Sequence, residues 1–302
     1  MKNIKKALII AAAAMWGGAI FFGIVELYNI WQNKIRTPDV PLYPTEYVYK
    51  SINDKNIRLD VYRPDDTLSA HKTILYIHGG SWVSGTKRKI QDWYRYNTIN
   101  TLLNNHIEVI SLDYRLINLS GNTLENCITD CRDALHFCTE NAEYLKIDTT
   151  EMGLWGSSAG AHLALMCYVQ EQAPANVKLI IDDFGPTDLS EMWGVFPDWV
   201  RRLACSFFFH IPFKNLKHFD ILAKGFSPLY HTKKLSNVPI LISHGNKDRT
   251  VNCKQSILLH DSLPNTSELI ILPGLKHGFK TMDSTEINAY TNKVMEFVNR
   301  NF

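Results

Sequence analysis

The chain has 302 residues, with 32 Lys+Arg against 30 Asp+Glu and a formal net charge of +2 at pH 7. A nucleic-acid-binding protein usually carries a marked basic excess or a basic stripe, so this near-balance argues against one. Hydrophobic residues make up 45% and charged residues 21% of the chain, which excludes a disordered protein and fits one large globular domain or two small ones.

The N-terminal part of the chain differs from the rest. Residues 7–25 form an uncharged run of nineteen residues that follows three lysines. As a helix this run would be roughly 28 Å long, close to the thickness of a bilayer core, and it exceeds the roughly 7–15 apolar residues of a secretory signal. The sequence therefore predicts an uncleaved, single-pass anchor within residues 1–36. The lysines predict that the rest of the chain lies outside the cytoplasm. A cleaved signal and a buried helix are the alternatives.

Three prolines between residues 37 and 44 predict an extended tether, after which one domain is expected over residues 45–302. Apolar and polar residues alternate over residues 57–62, a pattern typical of a half-buried strand. Residues 46–50 are its expected hairpin partner, with a turn at residues 53–56.

Beyond this hairpin, short apolar runs alternate with longer amphipathic stretches. The runs predict strands buried on both faces of a sheet, at residues 73–77, 108–112, 153–155, 177–181, 240–243 and 269–272. The amphipathic stretches predict helices at residues 124–141, 159–172, 254–263 and 285–301. This alternation indicates a doubly wound, mostly parallel α/β sheet, with a ligand site at the carboxyl ends of its strands. Residues 186–235 show no strand pattern and many aromatic residues, which predicts an inserted helical cap.

One motif with chemical potential is GSSAG at residues 156–160, which follows a predicted strand and opens a predicted helix. This G-x-S-x-G pattern puts Ser158 at the position of a nucleophile on a sharp turn. Side chains at positions 156 and 160 would collide with neighbouring backbone in such a turn, which explains the glycines. A glycine- and serine-rich helix entry without chemistry is the alternative.

A second motif, HGGSW at residues 78–82, follows the strand predicted at residues 73–77. Consecutive glycines let backbone N–H groups point into a cavity, and an acyl-transfer enzyme needs such donors for its oxyanion. The N–H of Ala159, next to the candidate nucleophile, would supply another donor. A plain tight turn explains Gly79 and Gly80 but not the GSSAG motif farther along the chain. His78 is interpreted as a structural residue that holds this loop.

A serine nucleophile requires a base, and the base requires an orienting acid. His277 follows the strand predicted at residues 269–272, and Asp248 follows the one predicted at residues 240–243. The order Ser158, Asp248, His277 is that of the α/β-hydrolase layout. The rival acids are Asp182, Asp183 and Asp188, and the rival base is His244.

At these residues the chain resembles the α/β-hydrolase superfamily, and within it the serine esterases related to hormone-sensitive lipase and the deacetylase/feruloyl-esterase-like members. The matching segments are HGGSW at 78–82, DYR at 113–115, GSSAG at 156–160, HGNKD at 244–248 and HG at 277–278. The resemblance implies a triad of Ser158, Asp248 and His277, with oxyanion donors at Gly79, Gly80 and Ala159. Many relatives have a third glycine where this chain has Ser81, which leaves the first-loop donor open among Gly79, Gly80 and Ser81. The DYR segment is interpreted as structural.

The resulting expectation is a membrane-anchored serine carboxylic-ester hydrolase. Its substrate would be a small-molecule or polysaccharide-borne ester with a short or aromatic acyl group. Aromatic rings of the cap, with Trp82 on the opposite wall, are expected to line the pocket. The mechanism implies no cofactor and no metal, and none of the six cysteines forms a C-x-x-C pair. Amide hydrolysis of the arylformamidase type and a catalytically silent binding protein are the alternatives.

Overall fold

The structure is a computed structural model that describes residues 42–66, 70–170, 177–194, 196–210 and 216–302. The chain divides into two units, Met1–Asp39 and Val40–Phe302, and every described residue belongs to the second. The predicted anchor and most of the predicted tether lie outside the described residues, so both stay predictions. Within the described part of the chain, no helix is both long and apolar enough to cross a membrane.

Eight strands form one sheet in the order β1-β2-β4-β3-β5-β6-β7-β8. The two edge pairings β1–β2 and β2–β4 are antiparallel, and all others are parallel. This confirms the predicted mostly parallel α/β sheet. The strands are β1 Thr45–Ile52, β2 Lys55–Tyr62, β3 His71–Ile77, β4 Ile107–Leu112, β5 Ile147–Ser157, β6 Val177–Asp183, β7 Ile240–Gly245 and β8 Ser267–Leu272.

The central strands are apolar throughout because both faces of the sheet are covered. Along β3, Leu75 and Ile77 enter one hydrophobic core, whereas Ile74 and Tyr76 enter the other. Helices α2, α4 and α9 cover the first face together with the cap, and α1 and α10 cover the second. The helices are α1 Tyr94–Asn104, α2 Leu124–Glu140, α3 Ala142–Leu145, α4 Ala159–Gln170, α5 Leu189–Gly194, α6 Asp198–Phe209, α7 Leu216–Gly225, α8 Thr232–Leu235, α9 Lys254–Ser262 and α10 Ser284–Asn301.

One local expectation was wrong in its extent, and one helix was not expected. The hairpin turn occupies two residues, not four, because Asn53 and Asp54 both adopt the left-handed conformation with φ of 47° and 60°. Such paired left-handed residues give the tight turn that matches the twist of two antiparallel strands. Helix α1 carries no clear apolar periodicity and was not predicted; it is held by packing against α10, where Thr98 and Thr291 share a hydrogen bond of 3.1 Å.

The cap lies between β6 and β7. Helices α5, α6, α7 and α8 all fall in this interval, and its described residues contain no strand, as the aromatic-rich sequence predicted. The two ends of the cap are joined at its base, because the Leu189 N–H donates to the Ser227 hydroxyl at 2.8 Å. The Leu229 N–H also donates to the Thr187 carbonyl at 3.0 Å. These bonds fix where the cap leaves and re-enters the sheet.

Candidate active site

Ser158 sits on a sharp turn between β5 and α4, with a φ of 56°. Serine rarely adopts this left-handed conformation, and such strain is typical of functional turns. A side chain at Gly156 would overlap the backbone of Gly160, and one at Gly160 would overlap the carbonyl of Ile77. The glycines therefore allow helix α4 to pack directly against the end of β3, which brings Ser158 to the carboxyl edge of the sheet.

The Ser158 hydroxyl meets an imidazole and a carboxylate that come from two later loops. The Ser158 Oγ lies 2.9 Å from His277 Nε2, and His277 Nδ1 lies 2.6 Å from Asp248 Oδ2. Asp248 follows β7 and His277 follows β8, so the carboxyl ends of parallel strands bring them to one place. All three sequence-predicted residues are in one hydrogen-bonded chain.

Both oxygens of the Asp248 carboxylate have hydrogen-bond partners. Its Oδ1 accepts the backbone N–H groups of Thr250 at 2.7 Å and Val251 at 3.0 Å. Its Oδ2 is shared by His277 and by His244, whose Nε2 lies 3.2 Å away. Burial raises the pKa of Asp248, but the hydrogen bonds from His244 and His277 outweigh burial and keep that pKa well below its ordinary value. The carboxylate is therefore ionised at neutral pH.

The rival acids lie elsewhere. Asp188 caps helix α5 through the Ser190 N–H at 2.9 Å. Asp182 accepts the Gly185 N–H at 2.8 Å, and burial raises its pKa to about 7. The rival base His244 is fully buried, with its Nδ1 2.7 Å from the Ser256 hydroxyl. The structure therefore brings Asp248, and none of the rival acids, against His277.

Asp183 has a supporting role that the sequence did not indicate. Its carboxylate accepts four side-chain donors at 2.6–2.9 Å, from Tyr94, Trp155, Ser243 and Tyr290. Its carbonyl also accepts the Ser158 N–H at 2.8 Å. Asp183 thus holds the backbone of Ser158, the candidate nucleophile, in place. No local pattern points to this network, since its donors are 28 to 107 residues away along the chain.

The HGGSW loop, residues 78–82, runs beside Ser158. A Cβ added to Gly79 would lie 2.6 Å from the Ser157 carbonyl oxygen and 3.2 Å from the Ser158 Cβ. Gly80 has a φ of 130°, a conformation that favours glycine. Ala159, the other predicted donor, is the first residue of α4. The loop main chain and the helix N-terminus therefore flank Ser158, where developing negative charge would be stabilised.

His78 and Tyr114 stabilise the HGGSW loop through contacts with each other. The Tyr114 hydroxyl donates to the His78 carbonyl at 2.9 Å, and the two rings stack at a centroid distance of 4.4 Å. His78 Nδ1 lies 2.8 Å from the Gly79 carbonyl oxygen. The Gly79 carbonyl can only accept, so Nδ1 is the donor; burial lowers the pKa of His78 to about 3, which agrees with a neutral ring. These contacts agree with the structural interpretation of His78 and of the DYR segment.

Trp82, the predicted pocket residue, is 4% exposed and packs against the cap. Its ring makes edge contacts with Trp193 at 6.4 Å and Phe208 at 5.7 Å between centroids. The indole Nε1 lies 3.3 Å from His162 Nδ1, one helical turn beyond Ser158. The aromatic residues of the cap therefore meet the HGGSW loop next to the helix that carries Ser158.

This arrangement can transfer a proton from a serine hydroxyl to an imidazole, because the carboxylate holds the Nδ1 proton and leaves Nε2 as the acceptor. The main chain of Gly79 and the first residue of α4, Ala159, lie beside this hydroxyl. Among the described residues, no group of three or more His, Cys, Asp or Glu side chains could hold a metal ion.

Comparison with known proteins gives a consistent result. A protein-family model described as BD-FAE matches residues 59–263. Isoprenylcysteine alpha-carbonyl methylesterase ICME from Arabidopsis thaliana is 26% identical over 235 residues, which cover 73% of this chain and 53% of that protein. Esterase LipC from Mycobacterium tuberculosis is 23% identical over 290 residues, which cover 89% of this chain and 70% of that protein. The chain thus spans only about half the length of the plant relative.

A solved structure shares the fold. The propionate-bound esterase Est2 of Thermogutta terrifontis matches with a TM-score of 0.68 at 23% identity, over 87% of this chain and 96% of that chain. At this level of identity the likeness concerns the fold alone. It agrees with the α/β-hydrolase architecture that the sequence motifs predicted.

Proposed function

The chain belongs to the BD-FAE family of α/β-hydrolases, and from this premise we propose that it is a serine carboxylic-ester hydrolase. The observation that carries the proposal is the hydrogen-bonded chain from Ser158 through His277 to Asp248. Three side chains from three loops, at distances of 2.9 Å and 2.6 Å, form the arrangement that activates a serine for attack on a carbonyl carbon.

In the first half-reaction His277 Nε2 accepts the Ser158 proton while Ser158 Oγ forms a bond to the ester carbonyl carbon. The carbonyl oxygen becomes an oxyanion and accepts hydrogen bonds from Ala159 and from the loop at Gly79 and Gly80. When the tetrahedral intermediate collapses, the C–O bond to the alcohol breaks and His277 donates its proton to the departing oxygen. The acyl group remains on Ser158.

In the second half-reaction a water molecule replaces the alcohol. His277 takes a proton from this water as its oxygen attacks the acyl carbon, and then returns the proton to Ser158 when the acid leaves. Asp248 stabilises the imidazolium in both halves and keeps Nε2 directed at the serine. Because its carboxylate is anchored by Thr250 and Val251, it can perform this role without rearrangement.

We expect short or aromatic acyl groups to be preferred over long chains. Trp82 and Trp193 are 4% and 8% exposed, and their rings pack against each other and against Phe208 where the HGGSW loop meets the cap. A long acyl chain would need an open channel through these rings. Esters are favoured over amides as substrates because ICME is named a methylesterase and LipC is named an esterase.

The proposal extends to location. The uncharged run at residues 7–25, preceded by lysines, supports a single-pass anchor that holds the catalytic domain outside the cytoplasm. The support for this part comes from the sequence pattern alone.

A panel of aryl esters from acetate to palmitate, with one N-formyl amide, tests the proposed activity. Ser158→Ala should lower kcat by about 10⁴-fold or more while the protein stays folded. Ser157→Ala is the matched control, because this neighbouring hydroxyl faces the buried phenols of Tyr76 and Tyr94. The control should keep kcat within about tenfold of the wild type. Near-normal turnover in Ser158→Ala, or faster cleavage of the amide than of every ester, would contradict the proposal.

A further inference from the structure

His162 is a buried histidine that the proposed mechanism does not use. It lies in the first turn of α4, is 0% exposed, and its backbone N–H donates to the Ser158 carbonyl at 3.2 Å. A histidine is an unusual choice in a helix whose other residues are nearly all apolar and buried. Its side chain must therefore find polar partners inside the protein.

Both ring nitrogens of His162 have a partner, and the partners determine where the proton lies. The indole Nε1 of Trp82 is 3.3 Å from His162 Nδ1, and the carbonyl oxygen of Phe226 is 2.6 Å from His162 Nε2. An indole N–H can only donate and a carbonyl can only accept, so Nδ1 is an acceptor and Nε2 carries the hydrogen. A doubly protonated ring would set one N–H against another. Burial also lowers the pKa of His162 to about 4, which agrees with a neutral ring.

The two partners of His162, Trp82 and Phe226, lie in the HGGSW loop and in the cap. Trp82 ends the HGGSW loop, two residues after Gly80. Phe226 directly follows α7 of the cap and precedes Ser227, whose hydroxyl accepts the Leu189 N–H at the base of the cap. One imidazole therefore links the HGGSW loop, the helix of Ser158 and the base of the cap.

We propose that His162 is a positioning residue of the hydrolase: it holds the HGGSW loop beside Ser158 and ties that placement to the base of the cap. The proposal rests on the proposed function. Without the imidazole, the Trp82 N–H would be buried without an acceptor, and the loop could regain one only by moving. Such a movement would carry Gly79 and Gly80 away from the oxyanion position.

The expected change in kcat and KM follows from the stage of the reaction at which the oxyanion donors bind. Oxyanion donors bind the transition state more strongly than the substrate, so their displacement lowers kcat more than it changes KM. A misplacement near 1 Å lowers the rate by roughly 10²-fold. Loss of stability alone would lower the amount of folded enzyme without this pattern.

The experiment compares His162→Phe, Trp82→Phe and the double variant with the wild type. His162→Gln is included because its amide keeps one donor and one acceptor. For each variant kcat and KM are measured on an aryl acetate, with the inhibition constant of a trifluoromethyl ketone that mimics the tetrahedral intermediate. His71→Phe is the matched control, since His71 is another buried histidine but lies at the opposite end of β3.

His162→Phe and Trp82→Phe should each lower kcat by about 10–100-fold, weaken the ketone by a similar factor, and leave KM within about threefold. The double variant should be no worse than the poorer single variant, because both remove the same hydrogen bond. His162→Gln should recover much of the lost kcat. His71→Phe should lower the melting temperature but leave kcat unchanged.

The proposal is overturned if Trp82→Phe keeps wild-type kcat and ketone affinity, which decides the question even when His162→Phe does not fold. It is also overturned if the two single effects multiply in the double variant. Ser158→Ala, measured beside these variants, distinguishes a failure of the proposed function from a failure of the positioning role. If it keeps turnover the proposed function itself fails, whereas an inactive Ser158→Ala with unimpaired His162→Phe and Trp82→Phe refutes the positioning role alone.

Discussion

Replacing Gly79 with alanine adds one methyl group between the HGGSW loop and the turn that carries Ser158. The new Cβ would lie 2.6 Å from the Ser157 carbonyl oxygen and 3.2 Å from the Ser158 Cβ. Non-bonded heavy atoms pack best at about 3.5–4.0 Å, so the loop would have to withdraw by roughly 1 Å. Gly79 does not have a positive φ, so the effect of this substitution is purely steric.

This withdrawal has two separable costs. It moves the loop N–H groups away from the oxyanion, and a misplacement of that size lowers kcat by roughly 10²-fold. Complete loss of one such donor costs about 10²–10³-fold, so the shift should not exceed that range. Overpacking should also lower the free energy of unfolding by about 1–3 kcal/mol.

Ester turnover and thermal unfolding are measured on the same preparation of Gly79→Ala. Gly225→Ala is the matched control, because a Cβ added there meets no atom within 4 Å and Gly225 does not have a positive φ. The control should keep kcat within about twofold of the wild type. If Gly79→Ala turns over as fast as the control, the loop does not supply the oxyanion donors and the steric argument is refuted.

Four further outcomes are expected. Asp248→Asn should lower kcat by about 10⁴-fold through the wrong His277 tautomer. Asp188→Asn, a change at a helix cap, should lower kcat by less than about tenfold. If Asp188→Asn lowers kcat more than Asp248→Asn does, Asp248 is not the acid of the triad. Acetate to butyrate esters should turn over faster than palmitate esters, and Trp193→Ala should shift the preference towards longer chains; a wild-type preference for palmitate would show an open lipid channel. Because burial raises the pKa of Asp182 to about 7, its contribution to stability is present below the ordinary Asp pKa and is lost as the pH rises through 7. Urea titrations should therefore show Asp182→Asn gaining about 2–3 kcal/mol relative to the wild type between about pH 5 and pH 8, and a constant difference would argue against this titration. Deletion of residues 1–36 should leave a soluble, active enzyme, while the full chain should stay with membranes after a carbonate wash; release of the uncleaved full chain would contradict the anchor.

The sequence predicted the candidate triad because each of its members lies in the turn or loop that follows an apolar run. Parallel strands bring their carboxyl ends to one edge, so a serine after β5, an aspartate after β7 and a histidine after β8 were expected to meet. The α/β-hydrolase layout favoured Asp248, but Asp182, Asp183 and Asp188 also lie between Ser158 and His277 in the chain and stayed open as rivals. The structure separates them, because Asp248 Oδ2 lies 2.6 Å from His277 Nδ1.

The supporting residues could not be predicted in the same way. His162 receives the indole of Trp82 from 80 residues earlier in the chain, and Asp183 collects donors from four separate elements. Nothing in the local sequence specifies which indole reaches which imidazole, since that depends on the packing of the cap and the loop. Helix α1 was missed for a related reason: it is stabilised by tertiary contacts with α10 and not by an amphipathic pattern of its own.

Covalent labelling tests the central claim most directly. The chain is incubated with paraoxon, which phosphorylates an activated serine, and the modified peptide is located by tandem mass spectrometry while ester turnover is followed. A single adduct on Ser158 is predicted, forming in step with the loss of activity, slowed in Asp248→Asn and absent in Ser158→Ala. Complete loss of ester turnover with the adduct on any other residue would contradict the assignment of Ser158 as the nucleophile.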